Sequence, residues 1–436
     1  MSSPVSDHLI LKELMESCGV GAHFEEVINR ANSVLVEGQL VKLDLSRLGF
    51  SSLPDSIGDF QALQRLNLRY NQLQHLPDTI CNLTYLRRLD LRSNLLNTLP
   101  DSFAQLKNLR KLELRENKFQ TLPSCLEKMK RLHHLELNNN DIMVGYTTFK
   151  QNKKLRFLNL RNIGLVNFPH GLLAHQKLKI IDLGNNHLVT LPNEIKNLHK
   201  LEFINLQKNR ISSLPDSIGE LHNLNRIDFR SNLLRQLPKS FFNLTSLTRL
   251  DLVSNQFSRL PEEIGKLTNL IVLSFYDNQI KAVPETIGQL EQLTRLEAQN
   301  NQIETLPAEF TNLFELTELR LNNNVLSSLP ETFSNLKKLE YLYLGHNLLK
   351  EITILSGLHN LRVLYVDNNQ ISSLPKELEE MESLEVLDVA SNNIRDVEID
   401  FTNFPNLKFL NLASNPYNLD SSSVKDLEAG GCVVRV

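Results

Sequence analysis

The chain contains no tryptophan, and its four cysteines, Cys18, Cys81, Cys125 and Cys432, stand far apart. They form no CxxC pair, so neither a zinc knuckle nor a disulfide framework is indicated. An excess of one charge is also missing: 47 Lys and Arg against 50 Asp and Glu leave a formal net charge of -3. Nucleic acid is therefore not the expected partner, because phosphate binding needs a dense Lys/Arg surface. No window approaches 18 consecutive apolar residues, so no membrane insertion is expected. Residues 1–22 lack a basic stretch followed by an apolar one, and a cytoplasmic location is the expectation. Phosphate-cradling loops of the GxxxxGK[ST] or GxGxxG kind are absent, as are HExxH, GxSxG and kinase signatures. His133 and His134 are adjacent and point to opposite sides of a strand, so they do not share an ion. No enzyme activity, cofactor or metal is read from this sequence. With 41% hydrophobic and 22% charged residues the chain nevertheless has the composition of a folded one.

What is present is a repeat. The phrase Leu63-x-x-Leu66-x-Leu68-x-x-Asn71-x-Leu73-x-x-Leu76-Pro77-x-x-Ile80-x-x-Leu83 returns 23 residues later from Leu86 and again from Leu109. Units begin at 40, 63, 86, 109, 132, 155, 178, 201, 224, 247, 270, 293, 316, 339, 361, 384 and 407, which makes 17, with one 22-residue step from 339 to 361. The Asn slot is filled in 15 of them, Leu48 and Ile163 being the exceptions, and 13 of the 16 prolines fall in one slot. Leu66 and Leu68 alternate as a half-buried strand does. Asn71 is placed to satisfy backbone groups where the strand ends. Leu76-Pro77 fixes an extended step, and the three-residue spacing of Ile80 and Leu83 suits a short helical or 3₁₀ back side.

This pattern resembles the leucine-rich repeat family over about residues 40–415. The resemblance implies an α/β fold, a leucine-rich repeat solenoid shaped as a curved horseshoe. A parallel β-sheet would line the concave face and short helical or 3₁₀ segments the convex face. Each unit buries its apolar side only against its neighbours, so the length is expected to make one long array, its 17 strands tracing an arc of roughly 80 Å. Residues 1–39 read as a helical N-terminal cap, with two amphipathic stretches at 7–18 and 24–35 and Leu9, Ile10, Leu14, Phe24, Val27 and Ile28 as buried positions. Residues 416–436 read as a C-terminal cap, with a helical turn over 421–429 and a closing strand over 430–434. Two irregular places stand out. Gly145-Tyr146 replaces the Leu-Pro step and Ile163-Gly164 occupies the Asn slot in the next unit, while residues 351–355 lack the proline.

The Leu-Pro-x-x-Ile variant is similar to the arrays of cytoplasmic Ras-pathway scaffolds, the Ras suppressor and erbin/Scribble-type proteins, and to arrays in bacterial proteins, including effectors delivered into host cells. The resemblance implies a non-enzymatic protein-interaction scaffold or adaptor; a role in intracellular signal transduction with a protein partner on the concave face is the expectation, and an array sealed at both ends is expected to be a monomer. A regulatory subunit of a phosphatase or other enzyme and a bacterial effector are the alternatives.

The residues of that face can be read by position. Position three runs from Lys42, Arg65, Arg88, Lys111 and His134 into Phe157, Ile180 and Phe203, an apolar interruption in a charged row. Position five is largely acidic or amide, and position seven supplies Arg69, Arg92 and Arg115. Opposite charges in adjacent columns pair with one another or steer a charged partner. Further along, Tyr276, Tyr341, Tyr343 and Tyr365 share the face with Val363. With Tyr70 they make five of the chain's eight tyrosines. Nothing in the packing of the repeat requires tyrosine there, and tyrosine is enriched where partners bind. Phe157, Ile180, Phe203, Tyr276, Tyr341, Tyr343, Val363, Tyr365, Arg69, Arg92 and Arg115 are the candidate binding residues.

Overall fold

The computed structural model describes residues 6–142, 152–397, 399–417 and 427–436. Two compact units, Met1–Arg210 and Ile211–Val436, divide the chain. Both are built from the same local solution. A three-residue strand such as Arg65–Asn67 pairs in parallel with the strand one repeat away, so that Leu43, Leu66 and Leu89 stand opposite one another. In the second unit Leu250, Leu273, Leu296 and Leu319 align in the same way. A constant period places identical positions side by side, and the strand leucines are buried to 2% exposure or less. Prolines make the turn to the back. Pro77 sits at φ -68°, ψ 149°, its carbonyl accepts the Ile80 amide at 3.1 Å, and the 3₁₀ turn Asp78–Asn82 follows. Ile80 and Leu83 return from that turn into the core. The expected solenoid of parallel strands backed by 3₁₀ turns is what forms.

Asparagine ties each repeat to the next. Asn94 donates through Nδ2 to Leu91 O and, one repeat back, to Leu68 O, both at 3.0 Å, while its Oδ1 accepts the Leu73 amide at 3.1 Å. The arrangement recurs at Asn117, Asn209, Asn255, Asn301 and Asn347 among others. The two units without this Asn share one answer. Leu48 and Ile163 are each followed by a glycine in the left-handed region, Gly49 at φ 75° and Gly164 at φ 77°. The amides of Leu48 and Ile163 then donate directly to the next Asn, Asn71 and Asn186, both at 3.1 Å. Ile163-Gly164 is thus a second form of the same joint. Gly145-Tyr146 lies outside the described residues.

The position just before the Asn also has a requirement that the Leu pattern does not reveal. In every repeat it is left-handed, from Arg47 (φ 60°) through Tyr70, Glu116 and Lys208 to Ser414 (φ 58°). Side chains tolerate that region poorly, β-branched ones worst, and no Val, Ile or Thr occupies it in any repeat.

The N-terminal cap differs in detail from expectation. Helix α1 (Asp7–Ser17) starts at Ser6, whose Oγ accepts the His8 amide. Its inner face is Asp7, Leu11, Leu14 and Met15, not Leu9 and Ile10; Leu9 is 48% exposed and Ile10 half-buried. A helix begun at Asp7 turns Leu9 about 200° away from that face. Buried Asp7 accepts the Leu40 amide at 2.6 Å, which fastens the helix to the array. Helix α2 covers only Phe24–Ile28, with Phe24 and Val27 buried and Ile28 half-buried. The β-branched Val34 and Val36 belong instead to a strand, β1 (Val34–Val36), antiparallel to β2 (Gln39–Asp44). At the other end, Val433–Arg435 pairs in parallel with Phe409–Asn411 and buries Cys432, as a closing strand should. Residues 427–429 are helical; the remainder of the expected turn, 421–426, lies outside the described residues. In the 22-residue step a 3₁₀ turn, Thr353–Leu355, forms without proline, and Tyr341 still faces Val363 across the strands. No described helix is long and apolar enough to cross a membrane.

Candidate partner-binding face

Inward leucines leave the odd strand positions on the opposite face, where the sequence placed the candidate residues. Phe157, Ile180 and Phe203 are in register on three consecutive strands and half-buried. The run is longer than expected by one member. His134, on the preceding strand, stacks on Phe157 with ring centroids 4.1 Å apart and planes 3° from parallel. Its Nε2 lies 2.7 Å from a Glu136 carboxylate oxygen. Burial would raise the Glu136 carboxyl, but the His134 hydrogen bond and nearby charges hold it below the usual range. By residue type His134 continues the basic row; its planar ring next to Phe157 was the available sign of the stack.

In the second unit the strands Tyr341–Tyr343 and Val363–Tyr365 set Tyr341 beside Val363 and Tyr343 beside Tyr365. The rings of Tyr343 and Tyr365 stack at 5.5 Å with a 10° interplanar angle. Arg320 extends the stack, its guanidinium carbon 4.6 Å from the Tyr343 centroid while its Nε donates to Glu318 at 2.7 Å. Cation, ring and ring thus form one column. Burial raises the Tyr343 hydroxyl and Arg320 opposes it, with a net rise. Tyr341 accepts at its hydroxyl from Arg362 at 3.4 Å. Tyr276 does not join this group. It lies three repeats earlier, beyond the strand Val272–Ser274, where burial and the charges of Glu297 and Asp277 raise its hydroxyl.

The three arginines of position seven are not equivalent. Arg92 forks onto Asp90 at 2.8 and 2.5 Å and approaches Glu113 at 3.6 Å; the Asp90 hydrogen bond raises its pKa. Among the described residues Arg115 pairs only with Glu116, at 3.9 Å. Arg69 makes no ion pair among the described residues and lies 5.8 Å from the Tyr70 ring, over which Arg47 also sits at 4.8 Å. Pairing between columns therefore consumes Arg92 and leaves Arg69 largely unused. Among the described residues no group of three His, Cys, Asp or Glu could hold a metal.

An array of short, in-register strands presenting stacked rings beside charged side chains defines a repeat protein that displays a surface. Sequence comparison supplies the family. The "Leucine-rich repeat region" profile matches residues 38–144, 193–278 and 248–344, and further leucine-rich repeat profiles match 177–198, 337–380 and 359–416. The chain belongs to the leucine-rich repeat family. Among solved structures, a leucine-rich repeat protein of Leptospira interrogans is 31% identical over 91% of this chain and 95% of its own, with a TM-score of 0.70. YopM of Yersinia enterocolitica is 26% identical over 86% of this chain and 78% of its own, at 0.62. The plant peptide hormone receptor RGFR1, solved in complex with RGF2, is 25% identical over 89% of this chain and 72% of its own, at 0.68. No curated protein matches. Proteins of this family are in general non-enzymatic modules for protein interaction.

Proposed function

We propose that this protein is a cytoplasmic, monomeric scaffold or adaptor in signalling that holds a globular protein on the concave strand face. The observation carrying the reading is the Arg320–Tyr343–Tyr365 column with Tyr341 and Val363 beside it. Stacked tyrosines offer large area with few rotors, which is the composition of interface anchors. The His134–Phe157–Ile180–Phe203 run supports a second anchor within the first unit. RGFR1 is solved with a peptide hormone, an instance in which a similar array holds a polypeptide. The likeness to Leptospira and Yersinia proteins favours, as a second reading, a bacterial protein whose partner belongs to a host. Nothing observed favours the phosphatase-subunit alternative.

The test is partner capture from the native cell, followed by titration of the purified partner against the wild type and Tyr341→Ala/Tyr343→Ala/Tyr365→Ala. Loss of three anchoring rings is expected to weaken binding by about 2 kcal/mol or more, roughly thirtyfold. Unchanged affinity for a verified partner would sink the tyrosine site.

A further inference from the structure

The strongest unassigned feature of the molecule is a groove of about 580 Å³ at the start of the strands in the first unit. Eight of its nine lining residues are Arg, Lys or His, the ninth is Gln64, and none is acidic. The lining comes from positions two and three of five successive repeats, so that Arg65, Arg87, Arg88, Arg110 and Arg156 converge there. Lys111 and His134 are matched by Glu113 at 3.2 Å and Glu136 at 2.7 Å. The five arginines make no ion pair among the described residues. Their charge is felt locally: the neutral form of His133 is favoured first by burial and then by Arg156 and Arg110.

The same strand-start positions in the second unit show that this is not a property of the repeat. There Arg362 and Lys408 both pair with Glu385, and a hollow at these strand starts is lined by Glu340 and Glu385 as well as Arg362. A chain with 50 acidic residues that neutralises one such row and leaves the other bare keeps the bare one for an anion from outside.

We propose that this groove binds a carboxylate-rich, extended segment of a protein partner, whose following apolar residues lie on the Phe157–Ile180–Phe203 run. Five strands at 4.8 Å spacing span roughly 19 Å, about six residues of extended chain at 3.3 Å each. An arginine fork donates two parallel N–H bonds to the two oxygens of one carboxylate. The lining of the groove includes His134, whose ring stacks on Phe157, and Arg156, which precedes Phe157 in the chain, so charge and apolar surface are continuous. A compact polyanion would use the arginines and leave that run bare. The inference rests on the reading that the strand face holds a protein, and it names the chemistry of one part of that protein.

The experiment uses the full chain and fluorescence anisotropy of a labelled hexaglutamate peptide ending in Phe-Leu-Phe, against the same peptide with six glutamines. The acidic peptide is expected to bind at least roughly tenfold tighter, with affinity falling as salt rises. Arg87→Glu/Arg110→Glu should weaken it at least roughly tenfold, each reversal replacing an attraction by a repulsion. Lys239→Glu, at an exposed side chain in the other unit, should leave it unchanged, and circular dichroism should show all variants folded. Equal affinity for the two peptides, indifference to Arg87→Glu/Arg110→Glu, or displacement by an equimolar amount of inorganic tripolyphosphate would overturn the proposal, the last in favour of a small polyanion. Phe157→Ser/Phe203→Ser separates the two readings. If it abolishes capture of a verified partner while the acidic peptide fails to bind, only the groove falls. If capture is unaffected while the arginine variant loses the peptide, only the apolar anchor falls.

Discussion

Replacing Asn255 by Ala tests whether the asparagine ladder holds neighbouring repeats together. Asn255 is 8% exposed, and its Nδ2 donates to Phe229 O and Leu252 O at 3.0 Å and to Val253 O at 3.1 Å. Its Oδ1 accepts the Leu234 amide at 3.0 Å. The carbonyls keep other donors after the change: Phe229 O retains Asn232 Nδ2, Leu252 O retains Asn278 Nδ2 and Val253 O retains the Ser231 amide. The fully buried Leu234 is different, since its amide loses its acceptor. An orphaned buried amide costs about 1–3 kcal/mol and each lost bond to a carbonyl about 0.5–1.5, so a loss near 3 kcal/mol is expected. Urea denaturation measures the total, and hydrogen exchange at the Leu234 amide locates it, which matters because repeat arrays open locally. A loss below about 1 kcal/mol, or unchanged exchange at Leu234, would refute the reasoning. The joints at Leu48-Gly49 and Ile163-Gly164 supply a rescue. Asn255→Leu combined with Gln256→Gly should be more stable than Asn255→Leu alone by about 1 kcal/mol, since the glycine lets the residue 255 amide reach Asn278.

Asn185→Val puts a β-branched residue at φ 53° and should cost about 1–2 kcal/mol in a denaturant titration. Asp7→Ala leaves the Leu40 amide without its acceptor and should destabilise the cap by about 1–3 kcal/mol, seen as faster exchange at Leu40. Alkylation at neutral pH, followed by peptide mass spectrometry, should modify Cys18 before Cys125, because burial pushes the Cys125 thiol up to about 11 and shields it, whereas Cys18 is partly exposed.

Much of this architecture is legible because the repeat states it many times. Leu66, Asn71 and Pro77 each have one structural task, and that task recurs at a fixed interval. What escaped depends on geometry that residue type carries faintly. The left-handed position before each Asn accepts Tyr70, Lys208 or His346 as well as Ser and Asn, so only the exclusion of β-branched residues marks it. In the cap, Leu9 and Ile10 looked as suitable for burial as Leu11, and the choice rests on where the first turn begins. On the face, the position-three row was visible, but Arg87, Arg110 and Arg156 at position two look like ordinary solvated charge until the strand starts bring them into one groove. Conversely, Tyr276 shares residue type with Tyr343 and Tyr365 but stands apart from them.

The shortened repeat shows where this molecule absorbs change in length. Asn369 still donates to Leu344 O and accepts the Leu349 amide, both at 3.0 Å, although one residue is missing between the flanking repeats. The strands at Tyr341 and Val363 keep their register, so the deletion is taken up entirely in the return path. Insertions and deletions can therefore accumulate on the back while the front keeps its pitch. The strand side behaves as a graduated scale, on which substitution changes what is written at each mark and leaves the distance between neighbouring marks alone.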